Sequence, residues 1–469
     1  MPRPEATLDT AQLQAKVENA FFPSNHSNSQ DHVGLELELW PFRTTPERGH
    51  ALVPFQNEEG TGLIQLLQQL VGTLEGFTYE PKPDGTHIFK FADGGNLTFE
   101  PGRQLEYSGP PFATLTAAIQ NLNHVIETLR CQLKNYDIWF FHSGLNPWYT
   151  VDEVGLHLTA PRYINMDRYF HTIGHYGRKM MRLSTSLQIN LDAGDKATAQ
   201  RRWLAANLVP PFFVALFANS PFIHRKAGGA YSYRSLIWQN LDPSRTGIQK
   251  GFLTPEYKPC PVQQYTEFAL DANVMRLPQP NGEASFDGRF INFRQWMKDG
   301  YNGQFPDMED WVNHLSTLFP EVRARGFFEC RFLDAQSKVW CAVPGILLTF
   351  LLYNTEAREK TIDMLLPYRT QLPGLLQQAA VQGLEDEQIA ALSNQLFQLA
   401  LKHAGSEDRS LVALAEKFYE NYTHRGLNPA AELLQLNDGK VFTPEQYRNF
   451  EKKQVDHAGE LLETICEFC

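Results

Sequence analysis

The sequence predicts an α+β fold built on an antiparallel sheet. Short alternating runs interleave with helical patterns from Val33 to about Phe350, with no βαβ rhythm and no glycine-rich turn between them. Beyond Tyr353 the pattern is helical almost throughout.

The first 30 residues read as a helix of modest amphipathicity followed by a polar linker, SNHSNSQDH. VGLELELW (Val33 to Trp40) then alternates, with Leu35, Leu37 and Leu39 on one face and Glu36 and Glu38 on the other. In PDGTHIFKFADGG, Asp84-Gly85 and Gly94-Gly95 mark hairpin turns. GNLTFEPGRQLEYSG follows. Leu97 and Phe99 share a face against Thr98 and Glu100, Pro101-Gly102 breaks the run, and Leu105 and Tyr107 alternate with Gln104, Glu106 and Ser108. A helix spans Ala113 to Arg130 on a stripe that includes Leu115, Ile119, Leu122 and Ile126.

MRLSTSLQINLD (Met181 to Asp192) is expected to be a strand, its polar face carrying Arg182, Ser184, Ser186, Gln188, Asn190 and Asp192. Arg234 and Trp238 lie four apart on a candidate helical face, where plain packing is an equal account. In FFECRF (Phe327 to Phe332), Glu329 and Arg331 alternate with Phe328, Cys330 and Phe332. VPGILLTFLLY reads as a buried helix, too short to cross a membrane. These segments suggest an N-terminal helix and linker (1–30), a catalytic antiparallel-sheet core (31–353) and a helical C-terminal region (354–469) packed on it as one catalytic unit.

Composition narrows the function. The 469 residues include 32 Phe, 17 Tyr and 8 Trp, ample for a large core. A net charge of −11 argues against nucleic acid or an anionic membrane as the main partner, and it permits divalent cations. No secretory signal or membrane span is apparent, and the six cysteines are scattered. They read as reduced thiols of a cytoplasmic protein, with Cys466/Cys469 a stray tail motif rather than a zinc site. His142, His175 and His314 are lone histidines expected in core or capping roles, and no phosphate loop or GxGxxG is present.

Taken singly, each polar-faced strand is an ordinary half-buried strand with one side in water. Together they are harder to leave in solvent. They carry Glu, Gln, Asn and Arg but no Lys, and gathered on one sheet their carboxylates would repel unless cations sat among them. Oxygen-only ligands suit a hard cation such as magnesium, and flanking arginines suit the carboxylate or phosphate of a substrate.

The motifs GLELE, LTFEPGRQLEYSG, RYINMDRYF, STSLQINLD, ANSPF, RSLIW, DPSRTG and TLFPEVRARGFFECRFLDAQ follow one another in an order that resembles the plant-type glutamate–cysteine ligases. RYINMDRYF, STSLQINLD, TLFPEVRARG and RFLDAQ lean towards the bacterial branch serving ergothioneine biosynthesis. The resemblance covers roughly residues 31 to 350, with an echo at Arg425 to Leu434. It implies a glutamine-synthetase-like antiparallel sheet bent into a funnel and ringed by helices. It also implies ATP-dependent joining of the glutamate γ-carboxylate to cysteine through a γ-glutamyl phosphate, feeding ergothioneine or glutathione biosynthesis in a monomer or weak homodimer.

By resemblance, Glu36, Glu38, Glu100, Glu106 and Glu329 would ligate magnesium, with Gln104 and Gln188 as neutral helpers. Arg182, Arg234 and Arg331 would hold substrate carboxylate or developing phosphate charge, Trp238 would wall the glutamate pocket, and Asn190 would add a polar contact. Two positions depart from the family. Arg103 replaces the second glycine of EPGGQ, implying either strain at a positive φ or a phosphate contact, and Leu37 stands where the plant enzymes have histidine. Rival expectations are a ligase of the same fold that joins glutamate to another amine, and a catalytically idle relative.

Overall fold

The structure is a computed structural model describing residues 8–22, 30–46, 49–254, 256, 258–404 and 409–458. The Cys466/Cys469 pair and most of the polar linker lie outside the described residues.

One sheet organises the chain. Its strands run in the order Val322–Ala324, Phe327–Asp334, Ser186–Asp192, Val33–Arg43, Leu105–Ser108, Asn96–Phe99, His87–Lys90 and Thr78–Pro81. Ala51–Leu52 and Ile138–Phe141 pair with the far end of Val33–Arg43, and every pairing in this sheet is antiparallel. The fold is therefore mixed helix and sheet with an antiparallel sheet, as the interleaved patterns indicated.

Period-two alternation puts the apolar residues on one face. Leu35, Leu37 and Leu39, Leu187, Ile189 and Leu191, Leu97, Leu105 and Phe328 are all buried in one cluster. Leu37, the departure from the plant pattern, belongs to this core face and not to the face of the glutamates. Helix Ala342–Tyr353 lies on the core face, where a Cβ added at Gly345 would be 3.5 to 4.0 Å from Leu115, Leu35 and Ile189. Helix Leu115–Lys134 covers it too, starting after Thr114, whose hydroxyl accepts from the Ala117 N–H at 3.2 Å.

Two expectations need correction. Met181 to Leu183 end a helix, Tyr176–Leu183, and the strand begins only at Ser186. Met180, Met181, Arg182 and Leu183 are all buried, so the last turn of the helix has no solvent face to reveal its period, and its last three residues mimic alternation. The thiols are not all reduced either. Cys260, Cys330 and Cys341 are free, whereas Cys131 is disulfide-bonded. Two of the three lone histidines have structural partners, His314 at the Ala269 carbonyl at 2.8 Å and His142 at Glu451 at 2.9 Å, whereas His175 is exposed and makes no side-chain cap bond.

The helices after Tyr353, among them Thr355–Leu365, Leu372–Gln382, Glu387–Lys402 and Arg409–Asn421, pack behind Ala342–Tyr353 and Pro210–Phe217. No described helix is long and apolar enough to cross a membrane.

Candidate active site

Strand register builds the site as rows across the polar face of the sheet. Glu38 stands opposite Glu106, and Glu106 opposite Thr98. Glu36 stands between Gln188 and Ser108 in the next row. Beyond it, Arg323, Glu329 and Asn190 oppose one another, ending at Gly34. A Cβ at Gly34 would come within 3.3 Å of the Asn190 Cβ, so the glycine leaves that side chain its room. Between Cys330 and Leu333 the register slips by one residue against Ser186–Asp192. That bulge keeps Glu329 and Arg331 on the polar face while Leu333 returns to the core.

These rows line a cavity of about 270 Å³ holding Glu36, Glu38, Glu100, Glu106, Gln188, Arg234, Trp238, Glu329 and Arg331. One carboxylate oxygen each from Glu38, Glu100 and Glu106 lies within 4.8 Å of the others. Enclosure raises the pKa of all three. Burial first, then repulsion from Glu38, lifts Glu100 to about 8. Burial lifts Glu106 well above the ordinary carboxylate range, with Glu100, Glu36 and Glu38 adding to it. Glu38 is raised by burial against the opposing Ser186 hydrogen bonds and the charges of Arg234 and Arg331. Three oxygen donors that repel one another when empty fit a hard divalent cation.

Neutral side chains orient the carboxylates. Ser186 donates to Glu38 from its N–H at 3.0 Å and its hydroxyl at 2.6 Å, and Gln188 Nε2 adds 3.3 Å. Asn190 Nδ2 donates to Glu36 at 2.7 Å and Thr98 Oγ1 to Glu106 at 2.8 Å. Asn190 thus reaches the site through Glu36 rather than lining the cavity.

The opposite wall is cationic. Helix Tyr233–Gln239 carries Arg234, whose guanidinium lies 4.9 Å over the Trp238 ring, and Arg331 lies 5.8 Å from the same ring. Trp238 Nε1 donates to the Phe319 carbonyl at 3.0 Å, which fixes the ring. Arg234 is also anchored from below: its Nη2 donates to the Arg331 carbonyl at 2.9 Å, and Asp334 lies 4.0 Å from Nη1. Asp334 itself accepts from Asn219 N, Ser220 Oγ and Ser232 Oγ at 2.7 to 2.9 Å, so the ANSPF motif supports the arginine at one remove.

Glu329 differs from the other carboxylates. Burial opposes its ionisation, but Arg331 and Arg323 outweigh it and hold the pKa down at about 2. Arg323 Nη2 and Arg331 Nη1 each donate to its Oε1 at 2.9 Å, and Arg331 Nη1 also reaches Gln188 Oε1 at 2.9 Å.

Three expected residues lie elsewhere. Arg182 is outside the cavity, paired with Asp167, which Arg178 also holds at 2.8 Å, so it braces two helices. It left the site because the helix runs through Leu183 and turns the side chain away from the sheet. Gln104 is buried, with Nε2 donating to the Ser184 carbonyl at 2.9 Å where the next strand begins. Arg103 does sit at a positive φ of 75°. Its guanidinium turns to the Val53 and Val154 carbonyls at 3.1 and 2.8 Å and to His157, and Arg103 does not line the cavity. Just before it, a Cβ at Gly102 would approach the Arg182 carbonyl to 2.5 Å, a close backbone crossing that only glycine allows.

Arg103→Gly is expected to be about 1 kcal/mol more stable than Arg103→Ala, with both below wild type because the guanidinium bonds are lost. Urea unfolding midpoints measure this, and equal losses would show that the backbone there is unstrained.

The cavity also holds residues that sequence reasoning missed: Arg162, Tyr163, Met166, Ser186, Arg323 and Arg325. Arg323 and Arg325 alternate with buried Ala324, the same period-two signal that exposed the glutamates. Arg162 follows the proline that opens helix Pro161–Ile173, and no local pattern ties it to the sheet.

Comparison with known proteins places this architecture in a class. The fold matches the crystal structure of a glutamate–cysteine ligase from Francisella tularensis in complex with AMP, with a TM-score of 0.52, 13% identity and 93% of each chain covered. Sequence then fixes the family: the model of glutamate-cysteine ligase family 2 (GCS2) matches residues 32–463, and the chain belongs to that family.

Its relatives include the chloroplastic glutamate–cysteine ligase of Medicago truncatula, 29% identical over 388 residues, covering 80% of this chain and 74% of that one. The chloroplastic glutamate–cysteine ligase of Arabidopsis thaliana is 26% identical over 453 residues, covering 94% and 83%. These relatives are chloroplastic enzymes, and that overturns the expected cytoplasmic location.

Proposed function

We propose that this chain joins the γ-carboxylate of glutamate to the amine of cysteine at the expense of ATP, giving γ-glutamylcysteine, ADP and phosphate through a γ-glutamyl phosphate. One observation carries the reading. In a member of the glutamate-cysteine ligase family, a cluster of three carboxylates faces an Arg234–Trp238–Arg331 cluster across one cavity.

The chemistry divides between the two walls. Glu38, Glu100 and Glu106, with Glu36 beside them, would hold magnesium, which supplies charge neutralisation for the ATP phosphates. Arg234 offers the glutamate carboxylate a planar donor pair, and Trp238 limits where that substrate can lie. Arg331, held between Glu329 and Gln188, would meet charge developing on the transferred phosphoryl group. Met180, Met181 and Phe319 close the cavity with apolar surface and keep water from the acyl phosphate.

The finer parts of the reading belong to the same proposal. The sheet curves as a funnel with helices around it, and residues 31–353 and 354–469 act as one catalytic unit in a monomer or weak homodimer. The wording of RYINMDRYF and TLFPEVRARG supports kinship with the bacterial enzymes of ergothioneine biosynthesis.

The deciding assay measures ADP release with magnesium, ATP and glutamate against a panel of amines. ADP with cysteine is expected; none with any amine would end the proposal, and ADP only with another amine would replace cysteine as acceptor. Arg234→Lys is expected to raise KM for glutamate by about tenfold, with a smaller change in kcat, because one bidentate pair becomes a point contact. An unchanged KM would move the glutamate site away from Trp238.

A further inference from the structure

We propose that the cavity between helix Leu115–Lys134, strand Ile138–Phe141 and helix Pro444–Ala458 binds a small organic anion through its phosphate or carboxylate head. This cavity has a volume of about 300 Å³ and shares no lining residue with the carboxylate cavity. That volume is at the lower end of the ~300–1,000 Å³ common for small-molecule sites.

Charge is the first observation. Arg130, Lys134, Lys338, Arg448 and Lys452 line the cavity against two carboxylates, Glu127 and Glu451. In a chain of net charge −11, cations are concentrated here against the overall balance. Both carboxylates are already engaged. Glu127 accepts from Arg130 Nε at 2.7 Å and pairs with Lys338 Nζ at 2.8 Å, while Glu451 pairs with His142 Nδ1 at 2.9 Å. Among the described residues no carboxylate pairs with Lys134, Arg448 or Lys452. Arg448 is nonetheless held in place, 5.0 Å over the Trp139 ring and bonded to Thr44 Oγ1 at 3.1 Å.

Unmatched polar atoms are the second. His142 and Ser337 are each 6% exposed and line this cavity, yet His142 Nε2 and Ser337 Oγ have no hydrogen-bond partner among the described residues. Buried polar groups are almost always satisfied, so two in one cavity point to a polar ligand, to which the Ser337 hydroxyl can donate, as His142 Nε2 does when the imidazole carries both protons. An oxyanion accepts from both, and the fixed guanidinium matches it. Ile126, Ile138, Phe140 and Val339 offer the apolar surface an organic body would cover.

Isothermal titration of the full chain, without ATP or added metal, tests the site with two probes, inorganic phosphate and citrate. One equivalent of at least one probe is expected to bind, phosphate alone indicating a phosphate head and citrate alone a carboxylate head. The Arg448→Gln/Lys452→Gln double variant should weaken it by about tenfold or more while its ligase turnover stays at the wild-type level. Arg331→Gln, which strips an arginine from the carboxylate cavity, should bind as wild type does; if it does not fold, Arg234→Lys serves the same purpose. Any other pattern overturns the site: no binding of either probe, binding unaffected by the double variant, or binding lost with Arg331→Gln or Arg234→Lys.

Discussion

Glu100→Gln is expected to lower ligase turnover by on the order of 10³-fold or more while leaving the protein folded. The amide keeps the shape of the carboxylate and removes one of the three oxygens that converge within 4.8 Å. Burial and the neighbouring charge of Glu38 both oppose ionisation at this position, so the substitution relieves a cost of the metal-free fold. The thermal midpoint without metal should therefore stay level or rise. Lost activity with an unchanged or raised midpoint separates a chemical role from a structural one. Near-normal turnover would move the reaction away from this cluster.

The stability of the metal-free protein is expected to fall as pH rises from about 5 to about 8, by several kcal/mol, and to recover when magnesium is added. Glu100 keeps its proton up to about 8 in the folded chain and gives it up near 4.5 when unfolded. Between those values the folded state binds more protons, so the free energy of unfolding decreases with increasing pH. Glu38 and Glu106 are shifted the same way by their burial and contribute in the same direction. Glu329 acts oppositely, since its pKa is held at about 2; its stabilising share is complete above about pH 4.5 and is lost only in acid. Thermal melts across this range, with and without millimolar magnesium, read the effect. A midpoint flat from pH 5 to 8, or one indifferent to magnesium, would defeat it. Glu100→Gln should flatten part of the slope.

The glutamates were legible because alternation is a property of a single strand. Leu35, Leu37 and Leu39 fix which way Glu36 and Glu38 point, whatever strand lies beside them. The long helices were legible for the matching reason, a local stripe or an uninterrupted apolar run. Arg182 was misplaced because the buried last turn of its helix carries too few residues to betray the period. Arg162 has no local signal because it enters the cavity from a helix far along the chain, and Arg325 because only the turn between two paired strands brings it 3.7 Å from Glu329. The placement of Arg103 outside the cavity lining was also beyond local reading. It depends on the Val53 and Val154 carbonyls, about fifty residues distant on either side.

The central strand Val33–Arg43 has a consequence for how the protein comes into being. Ser186, which orients Glu38, lies 148 residues further along, and Glu329 arrives later still on the strand beyond it. A ribosome that has released the first third of the chain has delivered four of the five glutamates without Ser186, Gln188 and Asn190, which hold Glu38 and Glu36. Until Ser186–Asp192 docks, the charged row can stay hydrated, and the desolvation cost falls due only as that strand closes on it. Assembly of the catalytic face is thus tied to a late, long-range step, and a truncated chain is expected to expose the carboxylates rather than trap them in a half-built cavity.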